Sequence, residues 1–339
     1  MLNRPFYFFK RQPILQLFMH KKDITIDYLT QLHDTPLLDL IHQAATVHRQ
    51  HHNAAEIQLC TLLSIKTGGC PEDCAYCPQA ARYQTGVNKH KLLDVDQVLN
   101  EAKKAKSEGS TRFCMGAAFR EVKDNQDFED ILTMVKGVKS LGLEACCTLG
   151  MLTQHQALRL KEAGLTAYNH NLDTSSEHYD NIINTRTYND RLKTIAHVAN
   201  AGISVCCGGI IGLGEKIQDR LQLLHTLVHL DPQPESVPIN TLVPVPGTPL
   251  EHQKKVDTFD WIKMIAMARI VLPKAKIRLS AGRLDISKEA QAMAFMAGAN
   301  SIFTGEKLLT TGNPCWKEDH QLLDQLQLTP VKSTEAIHA

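Results

Sequence analysis

The sequence predicts a (β/α)8 barrel of the TIM type with a helical N-terminal extension. Three observations predict it: short β-branched or apolar runs recur from about residue 60 onwards, the segments between them have helical period, and eight such repeats occupy slightly more than the ~250 residues a barrel of this kind needs. The competing α/β arrangement is an open doubly wound sheet, and the count of eight favours closure. The runs fall at residues 60–66, 111–116, 144–149, 167–172, 204–211, 236–243, 276–280 and 301–303.

Ahead of the first run, residues 23–58 carry Leu37, Leu38, Leu40, Ile41, Ala44 and Val47 at helical spacing and form the extension. After it, Val95, Val98, Leu99 and Ala102 mark the apolar face of one helix, and Phe128, Ile131, Leu132, Val135 and Val138 that of the next. Asp94 with Gln97, and Thr153 with Gln156, read as N-caps with a reciprocal partner three residues on, which pairs backbone N–H groups that a first helical turn leaves open. Gly109, Gly142, Gly164 and Gly202 each precede the next strand, where a left-handed residue closes a helix at little cost. The tail after Pro314 reads as polar and irregular. The expected division is an extension over 1–54, the barrel over 55–315 and a tail over 316–339, with no second domain.

A formal net charge of +1 and the lack of a long Lys/Arg run give no electrostatic footprint for nucleic acid, so a small-molecule ligand is expected. The longest apolar runs are far short of the roughly 20 residues that cross a bilayer. The first 22 residues hold Arg4, Lys10, Arg11, Lys21 and Lys22 and no acid, as an organelle transit peptide would, but they lack the small-residue cleavage pattern of a secretory signal. A ragged N-terminus, or a start at Met19, is the preferred reading, and the expected location is the cytoplasm. Ten cysteines in a chain of 339 residues without a secretory signal point to metal ligation in a reducing compartment rather than to disulfides.

Three of them form Cys70-Pro71-Glu72-Asp73-Cys74-Ala75-Tyr76-Cys77, a C-x3-C-x2-C spacing after the first strand, at the barrel end where such enzymes keep their active sites. Three thiolates on a short loop can hold three irons of a 4Fe-4S cluster and leave the fourth iron open to a chelating small molecule. A zinc knuckle or an electron-transfer cluster wants a fourth Cys or His close by. None is there: His90 lies thirteen residues beyond Cys77, and His51 and His52 precede the strand, so all three read as surface histidines. The triplet, with Tyr76 before its last cysteine, resembles the signature of the radical S-adenosylmethionine superfamily. That resemblance implies that S-adenosylmethionine chelates the open iron and is cleaved to a 5′-deoxyadenosyl radical, with the protein supplying orientation and protection.

Cys114, Cys146 and Cys206 lie in the second, third and fifth runs, far apart in sequence but able to converge inside a closed barrel. Spacing alone does not decide between ligands and ordinary core thiols. The words around them do: residues 110–118 (STRFCMGAA), 142–146 (GLEAC), 205–210 (VCCGGI) and 278–283 (RLSAGR) resemble the biotin synthase family, and the likeness runs in order from about Leu37 to Pro314. The resemblance implies a 2Fe-2S cluster on Cys114, Cys146, Cys206 and Arg278. An arginine is a strange iron ligand, because guanidinium normally stays protonated and donates; without the resemblance Arg278 reads as an anion clamp. Arg112, two positions before Cys114 on the same strand face, is placed to order it or balance thiolate charge. Cys147 and Cys207 depart from the family pattern and, by strand alternation, point away from the cluster as packing residues. Cys60 and Cys315 read as structural or incidental.

Asn169, Asn171 and Asp173 share one face of the fourth run and set amide, amide and carboxylate towards the barrel interior. With Asn240 the amides are chemically suited to a cyclic urea, and the resemblance assigns Asn169, Asn171 and Asn240 to the ureido ring of dethiobiotin. It places Asp173 at the cofactor ribose, Arg191 at the cofactor carboxylate, Tyr76, Ala117, Asn171 and Ile210 as further cofactor contacts, and Thr310 and Thr311 at the substrate's carboxylate tail. His170 points to the opposite face and reads as a satisfied structural histidine. Residues 208–215 (GGIIGLGE) lack the G-x-G-x-x-G order of a dinucleotide loop and match better the superfamily's G-x-I-x-G-x-x-E segment, where absent side chains let backbone approach adenine.

The reaction so implied is that of a sulfurtransferase: two hydrogen abstractions from dethiobiotin, each followed by capture of sulfide from the 2Fe-2S cluster, closing the thiophane ring of biotin with two S-adenosylmethionine molecules consumed. Reduced flavodoxin or a similar donor and a homodimer come with the resemblance. Lipoyl synthase is the nearest alternative, but its additional C-x4-C-x5-C triplet is absent from the sequence. An iron-sulfur carrier is the non-enzymatic alternative; it has no need of an asparagine-lined pocket.

Overall fold

In the computed structural model, residues 20–332 are described. The basic segment and the start at Met19 discussed above therefore lie almost entirely outside the described residues. Strands β1 (Glu56–Lys66), β2 (Arg112–Ala117), β3 (Glu144–Thr148), β4 (Ala167–Asn169), β5 (Ser204–Cys206), β6 (Gly209–Ile211), β7 (Ser236–Thr241), β8 (Lys276–Leu279) and β9 (Ser301–Thr304) pair in parallel in sequence order. Gln58 to Thr61 of β1 pair with Ser301 to Thr304 of β9, and this closes the ring. The expected TIM-type barrel is what the chain forms.

The fifth run is two short pieces, β5 and β6, that both border β7. Gly208, at the break, passes so close to β7 that a Cβ there would lie 2.0 Å from the Pro238 carbonyl oxygen. Only a residue without a side chain fits, and strand pairing with β7 lapses at residues 207 and 208 before resuming in the same register. β1 begins at Glu56 rather than at residue 60, and the fourth run keeps strand pairing only to Asn169.

Between strands, the helix faces read from period are buried: Val98 and Ala102 in helix Val95–Ser107, and Phe128, Ile131, Leu132, Val135 and Val138 in helix Gln126–Ser140. Thr153 and Gln156 make the reciprocal capping box. Asp94 stands at an N-cap but makes no side-chain cap bond; the backbone bond from Val98 N to the Asp94 carbonyl starts that helix, and the carboxylate is left to solvent. The four helix-ending glycines have φ between +69° and +96°.

The N-terminal extension consists of helices Ile26–Asp34 and Leu37–His51, packed on helix Thr258–Val271. That cover explains why helix Thr258–Val271 is buried on nearly every side. Leu38 is the exception to the expected face, 73 % exposed beside the buried Leu40, Ile41 and Ala44. The end of the extension is tied to helix Thr258–Val271 through that helix's buried Arg269, which donates to His52 Nε2 as well as to the carbonyls of Gly298, Pro273 and Ala275 and to Asn300 Oδ1. His52 is thus not a plain surface histidine; burial and then Arg269 hold its pKa down to about 4.

The tail is not irregular. Helix Trp316–Gln325 begins directly after Cys315, and strand β10 (Thr329–Pro330) adds in parallel to the start of β1, outside the ring. The polar composition hid a buried anchor: Asp319 pairs with both Nη atoms of Arg283, and both side chains are 1 % exposed. Arg283 also donates to Gln291 and to the Phe303 carbonyl, so the ion pair ties the segment after β8 to the C-terminal helix. Removing one partner strands a buried charge, which typically costs about 3–5 kcal/mol. Asp319→Ala should lower unfolding stability by roughly that amount in urea titration, whereas replacement of the exposed Asp324 should stay within ~0.5 kcal/mol.

Candidate active site

A cavity of about 300 Å³ opens at the mouth of the barrel and runs down its axis. Every residue singled out above as ligand or contact borders it: the loop cysteines and Tyr76 near the top, Asn169, Asn171, Asp173, Arg191, Ile210, Asn240 and Ala117 around the wall, Thr310 and Thr311 on the loop after β9, and Cys114, Cys146, Cys206 and Arg278 below. The loop residues meet here because they follow the C-terminal ends of parallel strands, while Cys114, Cys146, Cys206 and Arg278 point inward from the strands themselves and Arg191 reaches in from helix Tyr188–Asn200.

The cysteine loop is shaped by its own backbone. Gly68 and Gly69 adopt φ of +71° and +69° at its start. Cys70 N donates to the Gln79 carbonyl at 2.9 Å, Ala81 N to the Cys70 carbonyl at 2.7 Å, and Cys77 N to the Cys74 carbonyl at 2.9 Å. Asp73 fastens the loop to the segment after β4: its Oδ1 accepts from Asn184 N, Thr185 N and Thr185 Oγ1 at 2.8–3.0 Å. Partial burial pushes the Asp73 carboxyl up, but these bonds outweigh it and hold the pKa below the ordinary value. Burial pushes the Cys74 thiol up to about 11 and the Cys77 thiol to about 12, and raises Cys70 as well. Thiols so placed deprotonate when a metal takes the proton's place. Among the described residues no three of His, Cys, Asp and Glu converge closely enough to hold a single metal ion.

Deeper in the barrel, Cys114 of β2 and Cys146 of β3 are direct partners in register, both buried. The hydrogen bond between them, together with burial, raises Cys114, and the same bond lowers Cys146, so the two thiols titrate as a pair. Cys206 accepts from Asn169 Nδ2 at 3.4 Å and from Arg278 Nη1 at 3.6 Å. Arg278 is held at its other nitrogens, Nε to Ser301 Oγ at 2.9 Å and Nη2 to Gln58 Oε1 at 3.3 Å, with Phe303 5.1 Å beneath it. Nη1 is therefore the nitrogen presented to the thiols. Cys147 and Cys207 belong to the main core outside the ring, as strand alternation requires. Cys60 is not incidental in place: it packs with Cys114 and Cys146 inside the ring, its Sγ 3.7 Å from Ser301 Oγ.

Arg112 does not reach over Cys114. It is buried in ion pairs with Glu144 at 2.7 Å and Glu235 at 3.2 Å, and Gln58 Nε2 donates to the same Glu144. The glycine segment also has a protein-internal explanation, because a Cβ on Gly209 would meet the Asp173 carbonyl at 2.7 Å and Leu223 at 2.4 Å. His170 is buried, but its Nε2 has no hydrogen-bond partner, so it is not the satisfied structural histidine expected.

Asp173 joins the two layers of the site. It adopts φ +68°, receives Tyr76 Oη at 2.7 Å on Oδ2, and pairs through the same oxygen with Arg191 Nη2. Arg191 also donates to Tyr179 Oη and the Asn171 carbonyl. It is committed on all three nitrogens within the chain, so its expected place at a cofactor carboxylate competes with these bonds. Asn171 Oδ1 accepts from Asn169 Nδ2 and Gly208 N, which leaves its amino group for a ligand. Asn240 bridges the Gly209 carbonyl and Ala281 N.

Sequence reasoning missed Arg186, Gln58, Ser301 and Thr185. Gln58 carried a signal, a polar residue on the inward period of an otherwise apolar strand; Arg186 carried none beyond preceding the Thr187 helix cap.

A parallel barrel with an unpaired thiol triplet at its mouth defines a radical S-adenosylmethionine enzyme. Residues 64–227 match the family model described as the radical SAM superfamily, and residues 238–329 match the biotin and thiamin synthesis associated domain. The chain is 60% identical over 309 residues to biotin synthase of Cytophaga hutchinsonii, covering 91% of this chain and 92% of that protein. It is 58% identical to the mitochondrial biotin synthase of Arabidopsis thaliana, covering 91% and 82%. Among solved structures, methylornithine synthase superposes with a TM-score of 0.77 at 20% identity, covering 93% of this chain and 96% of that one, a likeness of fold. The chain belongs to the biotin synthase family of sulfurtransferases, whose radical S-adenosylmethionine domain implies a 4Fe-4S cluster and S-adenosylmethionine. No helix among the described residues is long and apolar enough to cross a membrane.

Asp173→Asn keeps a side chain that tolerates positive φ but removes the carboxylate from Arg191. Leaving that cation buried should cost about 3 kcal/mol or more in a urea titration.

Proposed function

We propose that the chain converts dethiobiotin to biotin by radical sulfur insertion. The observation that carries the reading is that one cavity is lined by the loop triplet, the strand thiols with Arg278, and the asparagines between them. Cys70, Cys74 and Cys77 would hold the 4Fe-4S cluster, and Cys114, Cys146, Cys206 and Arg278 the 2Fe-2S cluster. When bound, the first supplies the electron that cleaves S-adenosylmethionine and the second supplies the sulfur.

The residues of the chain then have separable tasks. The Asp173 carboxylate, fixed on Oδ2 by Tyr76 and Arg191, keeps Oδ1 to accept from ribose hydroxyls. Asn171 and Asn240 offer the donor and acceptor pair that a cyclic urea requires. Asn169 links the substrate wall to Cys206, which sets the carbon chain against the sulfur source. Thr310 and Thr311, on the loop whose Leu309 fills the space beside Gly116, are the donors for the carboxylate tail at the mouth. The barrel wall excludes water and stray hydrogen donors from the reacting carbons. Reduced flavodoxin or a similar carrier as electron source, a homodimer, and a cytoplasmic location complete the proposal.

The test is anaerobic reconstitution with iron and sulfide quantified, followed by turnover of dethiobiotin with S-adenosylmethionine and dithionite or reduced flavodoxin. Wild type should form biotin with loss of cluster sulfide, and Cys206→Ala should form none while still releasing 5′-deoxyadenosine. Cleavage of the cofactor by wild type without conversion of dethiobiotin would refute the substrate; no cleavage at all would favour an iron-sulfur carrier.

A further inference from the structure

Arg186 lies beyond β4, between Thr185, which binds Asp73 and Glu72, and the cap residue Thr187. Its side chain is 9 % exposed and borders the cavity. Nη2 donates to Cys74 Sγ at 3.9 Å. Nε stands 4.0 Å from Glu72 Oε1, and both atoms are buried without a hydrogen-bond partner. Glu72 sits inside the cysteine triplet and is shared with Arg120, whose Nε is 3.7 Å away. Arg186 is thus the cation that donates to the Cys74 sulfur, while Glu72 is shared between Arg186 and Arg120 and the neighbouring Arg191 is paired with Asp173.

Anchoring the loop does not require this arrangement, because Asp73 already makes three bonds to residues 184 and 185 and Tyr83 Oη donates to the Asp73 carbonyl. What a buried cation against a thiolate ligand changes is the cost of adding an electron to the cluster, since hydrogen bonds to sulfur and local charge set such potentials. Arginine suits the task, being charged at any working pH.

Resting on the reading of the triplet as a 4Fe-4S loop, we infer that Arg186 is a positioning residue that raises the reduction potential of that cluster, and that Glu72 holds it against Cys74. The test is an EPR-monitored redox titration of reconstituted protein without S-adenosylmethionine, so that a role at the cofactor does not move the result. Arg186→Met should bind iron and sulfide like wild type but reduce at least tenfold less favourably, a shift of 59 mV or more to the negative for one electron. Arg186→Lys should lie between the two. An unchanged midpoint in Arg186→Met, or loss of the cluster from both variants, overturns the inference. Where Arg186→Met alone fails to load, the midpoint of Arg186→Lys decides by its direction, a negative shift supporting the inference and an unchanged one refuting it. Failure of wild type to assemble a 4Fe-4S cluster would instead refute the reading on which the inference rests.

Discussion

The site depends on one constraint: a closed barrel interior that holds thiols, amides and charges must satisfy most of them from within. Hydrogen-bonding groups shut away from water cost free energy when left open. Arg278 therefore has Ser301 and Gln58, Asn240 has two backbone groups, and Asn171 has Asn169 and Gly208. These bonds hold the cavity walls through the chain's own groups, and walls held in that way lower the cost of ordering them around a ligand.

The two ends of the barrel divide the labour. At the mouth, loops carry the groups that meet small molecules. Below them, Gln58 passes from Arg278 to Glu144, and Arg112 bridges Glu144 to Glu235, whose side chains are partly exposed on the far side. Arg269 adds contacts to the carbonyls of Gly298, Pro273 and Ala275 ahead of the last two ring strands. The polar ladder on the axis keeps the strand thiols from a purely hydrocarbon surrounding, in which burial would hold them protonated more firmly.

Most of this was legible from residue order. Eight runs with capped helices between them specified the barrel, and the triplet's spacing specified its chemistry, because local pattern suffices for both. Long-range pairing was less readable. Nothing near Asp319 announces Arg283, so the C-terminal helix looked like a polar tail; nothing in the sequence around Arg112 announces that Glu144 and Glu235 would claim it. The break between β5 and β6 depends on the approach of Pro238, thirty residues on. The places of Cys60 and Arg186 emerge only in the folded chain, since Cys60 is defined by neighbours on other strands and Arg186 by the distant cysteine loop.

Asp173 shows how narrow such a site leaves the choice of residue. Its backbone occupies the left-handed region, which glycine, asparagine and aspartate enter with least strain. Its side chain must also carry the negative charge that Tyr76 and Arg191 share. Glycine meets the first demand and fails the second; glutamate does the reverse; asparagine has the shape without the charge. No single step to another amino acid preserves both properties, so a lineage that drifts at this position has to rebuild the Arg191 environment at the same time. The position is an isolated point in sequence space, fixed by the intersection of backbone geometry and charge rather than by either one.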